Sequence, residues 1–160
     1  MGPDQAAGAS PGRQAAPHLA CPGMTLRLEL QADPVSVRHV LRLVRTRLAA
    51  DLSETAASNL ELVLAEMLNN IVKHAYRGEG GRIGLQIGAG PDCLLCRVTD
   101  QGIAMPGGVL PDRDRLQPGL PVADLPEGGF GWRMIRDLAT DLQYRRDAGW
   151  NVVKFRMAQS

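Results

Sequence analysis

A long apolar stripe between residues 60 and 75 is the feature that most constrains the fold of this chain. Its members recur at helical spacing: Leu60, Leu64, Met67, Leu68, Ile71, Val72 and Ala75. A helix with one apolar face has to bury that face against another element, commonly the apolar face of a sheet. The rest of the chain is therefore expected to supply strands that cover this helix.

Segments on both sides of that helix have the patterns of strands and further helices. Residues 24–30 alternate apolar and polar side chains, which predicts a half-buried strand. Asp33-Pro34 provides an N-cap and a first-turn proline for a helix that ends near Leu48, and the second helix begins near Ser53. Further strands are predicted at 82–87, 93–99, 142–146 and 151–157, with a third helix at 128–140. The predicted order is β-α-α-β-β-loop-α-β-β.

Composition limits the class of protein. The 160 residues suffice for one compact domain and are too few for two. The net charge of +1 argues against recruitment of nucleic acid or of an anionic membrane. No apolar run approaches the roughly 20 residues of a spanning helix, and three cysteines without a secretory segment favour a reducing compartment. We therefore expect a cytoplasmic protein that contacts neither membrane nor nucleic acid.

The first 23 residues differ in composition from the rest of the chain. They consist largely of Ala, Gly and Pro and contain almost no large apolar side chain. Such a segment buries too little surface to offset the entropy of ordering it. We predict a disordered lead at 1–23 and a folded domain at 24–160.

A polar row runs along the second predicted helix. Glu66 and Asn70 are four residues apart and share one helix face, on which Lys73 also falls. A carboxylate, an amide and an ammonium group in one row suit Mg²⁺ with a polyphosphate, because Mg²⁺ prefers oxygen ligands and phosphates. The alternative is an ordinary solvated polar stripe.

Two glycine-containing segments follow, separated by a long loop. Asp100-Gln101-Gly102 ends a predicted strand; a buried Asp there is able to accept from an exocyclic amine such as that of adenine, although an ordinary turn has the same pattern. Gly128-Gly129-Phe130-Gly131 precedes a helix, whose free N–H groups favour phosphate. The segment 103–127 between them is rich in Gly, Pro and Asp, which predicts a mobile lid.

In this order and spacing the three clusters resemble the GHKL (Bergerat-type) ATP-binding fold, with its N box, first glycine box, lid and second glycine box. The segment from Glu66 through Asn70 to His74-Ala75-Tyr76 is similar to the helix motif of bacterial anti-sigma-factor serine kinases of the RsbW type. Residues 126–131, Pro-Glu-Gly-Gly-Phe-Gly, resemble that family's lid end and second glycine box. The resemblance covers about residues 24–157. It implies an α+β fold: a two-layer α/β sandwich with a mixed, mostly antiparallel sheet and three helices on one face.

The resemblance also implies roles for individual residues. Glu66 corresponds to a general base toward a serine hydroxyl, and Asn70 to a ligand of Mg²⁺. Asp100 corresponds to the partner of the adenine amino group, while Gly102 lets the base lie against the backbone. The residues implied to contact the phosphates of ATP are Lys73, Gly129 and Gly131.

Two positions depart from the family's pattern. Met105 stands where an aromatic residue is usual soon after the first glycine box. Asn151 stands in the last strand where the family usually has a Thr after Gly-x. An Asn still donates and accepts hydrogen bonds near Asp100, so Asn151 is included among the predicted nucleotide-binding residues.

Remaining residues of chemical interest have simpler interpretations. Cys93 and Cys96 form a C-x-x-C pattern, but odd spacing on a strand puts them on opposite faces, which argues against a metal or redox pair. Trp132 and Trp150 are assigned to packing.

Two functions from different classes follow from the resemblance. The first is an ATP-dependent protein serine kinase, a homodimeric anti-sigma-factor-like partner switch that phosphorylates a serine on a STAS-domain antagonist, with a sigma factor as the candidate second partner. The second is a catalytically inactive ATP-gated protein-binding module, in which nucleotide orders the lid without phosphoryl transfer. Glu66 discriminates between them, because binding needs Asn70 and Asp100 but no base. Its retention favours the kinase.

Overall fold

The computed structural model describes residues 25–111 and 129–159, so the predicted lead and most of the predicted lid lie outside the described residues. The chain forms, in order, β1 (Thr25–Gln31), α1 (Pro34–Leu48), α2 (Glu54–Asn70), β2 (Arg82–Ala89), β3 (Cys93–Asp100), α3 (Gly129–Leu138), β4 (Thr140–Asp147) and β5 (Trp150–Ala158). A π-helical turn (Ile71–Ala75) continues α2, and a short 3₁₀ turn (Pro106–Gly108) follows β3. This order confirms the predicted one.

The strands form a single sheet in the order β1-β2-β3-β5-β4. All pairings between the described strands are antiparallel, where the resemblance had implied a mixed sheet. The predicted α+β class is confirmed. The register of β3 on β5 sets Asp100 opposite Asn151.

One face of the sheet is buried beneath the helices. Every second residue of β2 and β3 is buried, and the buried residues of α1 and α2 join the same apolar core. Helix α2 packs against both α1 and α3. The most deeply buried large side chains of this core are Phe155, Leu48, Leu60, Leu64, Met67, Leu68, Ile83, Leu85, Ile87, Leu94 and Ile135.

The first two helices begin where side chains cap them. Asp33 Oδ1 accepts from the backbone N–H groups of Val35 and Ser36, both at 2.9 Å, and the bonds from Ser36 lower the pKa of the Asp33 carboxyl. Ser53 Oγ accepts from Ala56 N at 3.1 Å in α2. Side-chain oxygens at these positions satisfy donors that the first helical turn leaves unpaired. Both predicted helix starts are therefore observed.

The end of the second helix differs from the prediction. A continuous α-helix was expected to reach Ala75, but the last turn is π-helical and Tyr76 N donates to Ile71 O at 3.0 Å. Tyr76 is anchored on both sides: its hydroxyl donates to Arg82 O at 2.7 Å and accepts from Gln101 N at 2.9 Å. The periodicity of the apolar residues does not reveal that one helical turn contains an extra residue. The π-helical turn depends on the contacts of Tyr76 with residues at the ends of β2 and β3, which local periodicity does not describe. Such turns occur frequently at functional sites.

One prediction is wrong on the face of the sheet that points away from the helices. Trp150 was assigned to packing, but it lies on the face away from the helices and is 41% exposed. Trp132 is buried, as predicted. Cys96 is buried while Cys93 alternates to the other face, and burial raises the pKa of the Cys96 thiol. Among residues 25–111 and 129–159, no helix has the length and apolar character to cross a membrane.

Candidate functional site

A cavity of about 520 Å³ opens where the end of α2, the π-helical turn and the ends of β3 and β5 meet. Four of the residues predicted from the sequence line it: Asn70, Lys73, Asp100 and Asn151. Apolar side chains, among them Met67, Met105 and Trp132, cover much of the remaining wall. The combination of an apolar wall and a few convergent polar groups is typical of a small-molecule site.

Asp100 is the buried carboxylate of this cavity, with 4% of its surface exposed. Its Oδ1 accepts from Asn151 Nδ2 at 2.7 Å and from Gly102 N at 2.9 Å. No described residue donates to Oδ2. Burial raises the pKa of Asp100, and the bonds from Asn151 and Gly102 and the charge of Arg146 partly oppose that shift. The carboxylate thus has one occupied oxygen and one oxygen available to a ligand.

Asn151 connects Asp100 to strand β4. Its Nδ2 also lies 3.1 Å from Ile103 O and 3.3 Å from Gly102 O. Its Oδ1 accepts from Tyr144 Oη at 2.8 Å and from Arg146 Nη1 at 2.7 Å. Every polar atom of the Asn151 side chain therefore has a protein partner, and its bonds connect Asp100 with β4 and with the backbone that follows β3.

Gly102 lies directly against the π-helical turn. A Cβ built on Gly102 falls 2.6 Å from both Cβ and O of Ala75, and the next residue, Ile103, donates from its N–H to Ala75 O at 2.8 Å. The absence of a side chain is therefore required by helix–loop packing. Gly102 itself does not line the cavity, and its predicted contact with a base stays a prediction.

Asn70 and Lys73 line the cavity from the end of α2 and from the π-helical turn. Asn70 Nδ2 is buried and has no hydrogen-bond partner in the described chain, and no described residue bonds Asn70 Oδ1. Lys73, on the π-helical turn, is exposed at the cavity edge. The solvated polar stripe considered above is therefore wrong for Asn70, because helix and cavity bury part of its amide.

Glu66 faces α3 rather than the cavity. A Cβ on Gly131 would overlap Glu66 Oε2 and come within 3.0 Å of Glu66 Cδ, so the carboxylate occupies the space that this glycine leaves open. The half-buried Glu66 carboxylate forms no hydrogen bond with any residue that the structure describes. Gly131 is thus a contact of the predicted base; its contact with phosphate stays a prediction.

The remaining predicted elements lie at the start of α3. Gly129 is the first residue of that helix, and Gly128 lies outside the described residues. The first turn of α3 has no acidic side chain of its own, and the Glu66 carboxylate lies beside Gly131 in that turn. The start of a helix has a positive potential that favours anions. Within residues 25–111 and 129–159 no three His, Cys, Asp or Glu side chains cluster as a metal site.

Sequence reasoning missed two residues of this site, Tyr144 and Arg146. Alternation along the predicted strand 142–146 was a usable signal, because it sets Leu142, Tyr144 and Arg146 on one face. The pattern did not reveal that this face meets Asn151, since that contact depends on the pairing of β4 with β5.

The fold and the cavity at the end of the central helix define this protein as a GHKL-type nucleotide-binding domain. The family model described as "Histidine kinase-like ATPase domain" matches residues 30–157, and the chain belongs to this family. The resemblance inferred from the sequence motifs is therefore confirmed.

Curated relatives share the predicted subfamily. "Serine-protein kinase RsbW" of Bacillus cereus (strain AH187) is 32% identical over 104 residues, which are 63% of this chain and 64% of the relative. Proteins of the same name from Bacillus mycoides (strain KBAB4) and Bacillus anthracis (strain A0248) are 31% identical over the same length. The matched segment thus spans slightly less than two thirds of these relatives.

Proposed function

We propose that the cavity binds ATP with Mg²⁺ and that the protein is a serine kinase that transfers the γ-phosphoryl group to a partner protein. The observation that carries the proposal is that two polar side chains in the lining of one largely apolar cavity each have a group without a partner among the described residues. Asp100 Oδ2 and the Asn70 amide have no hydrogen-bond partner in the described chain. Buried polar groups without partners are costly, so a ligand that pairs both is favoured.

The base of the nucleotide is assigned to the Asp100 end. An ionised carboxylate only accepts hydrogen bonds, and the adenine amino group is a donor. The apolar wall, which includes Met105 in the position of the family's aromatic residue, suits the face of a purine ring. Asp100 and this wall together favour an adenine nucleotide.

The phosphates are assigned to the other end. Asn70 offers an amide oxygen, Lys73 an ammonium group at the cavity edge and Gly129 the start of a helix. These residues fit Mg²⁺ carried by a nucleotide, because one protein oxygen and several phosphate oxygens suit that ion. Mg²⁺ would neutralise charge on the phosphates during transfer.

Glu66 is the residue proposed to act as the base. It lies one helical turn before Asn70 and contacts Gly131 in the first turn of α3. Its carboxylate has no hydrogen-bond partner among the described residues, so it is able to accept a proton from a serine hydroxyl that enters between α2 and α3. Its role is to orient the hydroxyl and to take up this proton as the phosphoryl group leaves ATP.

The proposed partner is a STAS-domain antagonist whose serine is phosphorylated, with a sigma factor as the alternating second partner. The serine-protein kinases among the relatives support a protein substrate. We further propose a homodimer in the cytoplasm.

A catalytically inactive ATP-gated binding module is the second candidate. One observation favours it: Glu66 contacts Gly131 and is not among the residues that line the cavity. In that case nucleotide would change the binding surface and Glu66 would serve packing.

Radiolabelled ATP and a co-purified STAS-domain protein test the proposal. Glu66→Gln keeps size and hydrogen-bonding shape but accepts no proton, so we expect transfer at least ~100-fold slower with unchanged ATP binding by calorimetry. Glu61→Gln is the matched control on the same helix, where Glu61 pairs with Arg45 at the surface, and it should transfer normally.

The outcomes separate the candidates. ATP binding without transfer by the wild type would support the binding module. Equal transfer by the wild type and Glu66→Gln would remove Glu66 as the base. No heat with ATP at millimolar concentration, from protein confirmed as folded, would contradict both candidates.

A further inference from the structure

We propose that Arg146 and Tyr144 are positioning residues that act through Asn151 to hold Asp100 for a base with an exocyclic amine. The inference rests on the proposed nucleotide function and concerns how this chain selects adenine. Neither residue is needed to touch the nucleotide. Both belong to β4, an edge strand, and both donate to the amide oxygen of Asn151; Tyr144 also lines the cavity.

Arg146 determines which way the Asn151 amide points. A guanidinium only donates hydrogen bonds, so the Asn151 atom 2.7 Å from Arg146 Nη1 has to be the acceptor, Oδ1. Nδ2 then necessarily faces Asp100 Oδ1 and the carbonyl oxygens of Gly102 and Ile103. The opposite orientation would set an amide oxygen against a carboxylate and two carbonyls, which all repel it.

The amide orientation determines which oxygen of Asp100 is available. Asn151 Nδ2 and Gly102 N both donate to Oδ1, and this pair of bonds fixes the carboxylate plane. Oδ2 is left as the acceptor toward the cavity. Asp100 needs this support because it is 4% exposed and little water reaches it to hold its charge.

The same two residues hold the backbone that follows Asp100. Arg146 Nη1 donates to Gly102 O at 2.9 Å, and Tyr144 Oη accepts from Met105 N at 3.1 Å. Residues 103–105 follow Gly102 and line the cavity. Arg146 and Tyr144 therefore fix both the acceptor and the surface beside it.

This arrangement distinguishes bases by their hydrogen bonds. Adenine presents an amine donor to an ionised carboxylate, whereas guanine presents a carbonyl oxygen at the equivalent ring position and leaves both acceptors unpaired. Sites that pair a specific polar group reject the analogue that lacks it much more strongly than apolar pockets reject a change of size. Loosening the network should therefore reduce adenine affinity selectively.

Calorimetry with Mg²⁺ADP and Mg²⁺GDP on the full chain tests the inference. We expect Arg146→Met to raise the Kd for ADP about tenfold, the effect of losing one hydrogen bond to a charged group, and to leave the Kd for GDP unchanged or lower. Tyr144→Phe should raise the Kd for ADP about threefold, as for a neutral hydrogen bond, and Arg146→Lys should restore most of the affinity.

Arg145→Met is the matched control. Arg145 is the adjacent cation of β4 but faces the other side of the sheet, opposite Val152, so its removal makes the same change in charge. Both Kd values should stay within about twofold of the wild type, a difference well below one hydrogen bond.

Three results would overturn the inference. In the first, Arg146→Met and Tyr144→Phe keep the wild-type ratio of the Kd for GDP to the Kd for ADP. In the second, Arg146→Met weakens the binding of ADP and of GDP equally, with an unchanged melting temperature. In either case nucleotide binding survives as the proposed function and only the positioning role fails. If the folded wild type binds neither nucleotide, the proposed function fails and this inference fails with it.

Discussion

The part of the cavity around Asp100 (the Asp100 end) and the part around Asn70 (the Asn70 end) differ in how fully their polar groups are hydrogen-bonded. At the Asp100 end, Asn151 uses all its polar atoms and joins β3, β4 and β5. At the Asn70 end, the amide has no partner in the described chain, and Glu66 fills the space beside Gly131 without a hydrogen bond. The first end is organised before any ligand arrives, whereas the second has polar groups that no described residue pairs.

This difference indicates how stability and function are divided within one site. A satisfied buried network contributes to folding, and its loss leaves several groups unpaired. An unpaired buried amide costs free energy in the folded protein, so its retention suggests a role outside folding. Substitutions at the Asp100 end should therefore affect stability, while substitutions at the Asn70 end should affect ligands.

The largest expected effect comes from a comparison of alanine substitutions at Gly102 and Gly131, the two glycines of the site that lie in close contact with other residues. Gly102→Ala sets a Cβ 2.6 Å from the backbone oxygen of Ala75, which cannot move without disturbing the π-helical turn. We expect a loss of about 3 kcal/mol in the free energy of unfolding, the upper part of the usual range for overpacking. Gly131→Ala displaces only the Glu66 side chain, so its unfolding free energy should change by less than about 1 kcal/mol, since alanine also favours the helix by a similar amount.

Urea denaturation of both variants measures this comparison. Gly131→Ala should also slow phosphoryl transfer, because the displaced Glu66 carboxylate no longer lies beside α3. A larger destabilisation by Gly131→Ala than by Gly102→Ala would mean that the Glu66 contact is structural, and would weaken its assignment as the base.

The next prediction compares the two asparagines. Asn151→Ala removes the acceptor of the Tyr144 hydroxyl and one of the two donors to Asp100 Oδ1, and should cost about 2 kcal/mol. Asn70→Ala removes an amide that already lacks a partner, so stability should stay unchanged or rise slightly, while Mg²⁺-nucleotide binding weakens. Thermal unfolding without nucleotide and calorimetry with it separate these effects. A large destabilisation by Asn70→Ala would contradict the division drawn above.

The smallest effect concerns pH and the buried charge of Asp100. Burial raises the pKa of Asp100 above its ordinary value of 3.8, so just above that pH the folded state holds the proton more often than the unfolded state. Stability therefore falls as pH rises through this window and is constant once both states are ionised. Asp100→Asn removes this dependence, so its stability relative to wild type should increase with pH and then level off. Asn70→Ala removes no titrating group, so its free energy of unfolding should vary with pH as that of the wild type does. The same dependence on pH for Asp100→Asn would contradict the prediction.

Much of the fold was predictable because its signals are local. The caps at Asp33 and Ser53 and the alternation along β2 and β3 all act within a few residues. The apolar stripe of the second helix also identified most of its buried residues. The same local rules failed at the π-helical turn and at Trp150, where contacts with other strands or the outward face of β5 decide the outcome.

The predicted site divides in the same way. Motif spacing identified Asn70, Lys73 and Asp100, the family resemblance added Asn151, and these four residues do line one cavity. It did not identify Tyr144 and Arg146, which reach Asp100 only through a side chain of another strand.

The sequence alone determined which elements form, the α+β class and the family, because hydrophobic period, caps and glycine motifs are properties of short segments. Only the tertiary structure decided that every polar atom of the Asn151 side chain is hydrogen-bonded, that Asn70 Nδ2 has no partner among the described residues, and that Gly131 contacts Glu66. Those facts depend on the register that sets Asp100 opposite Asn151 and on the packing of α3 against α2. The strand register and the helix packing both join residues that are far apart in the chain. They are selected by how well whole surfaces fit together, which the local sequence preferences do not determine.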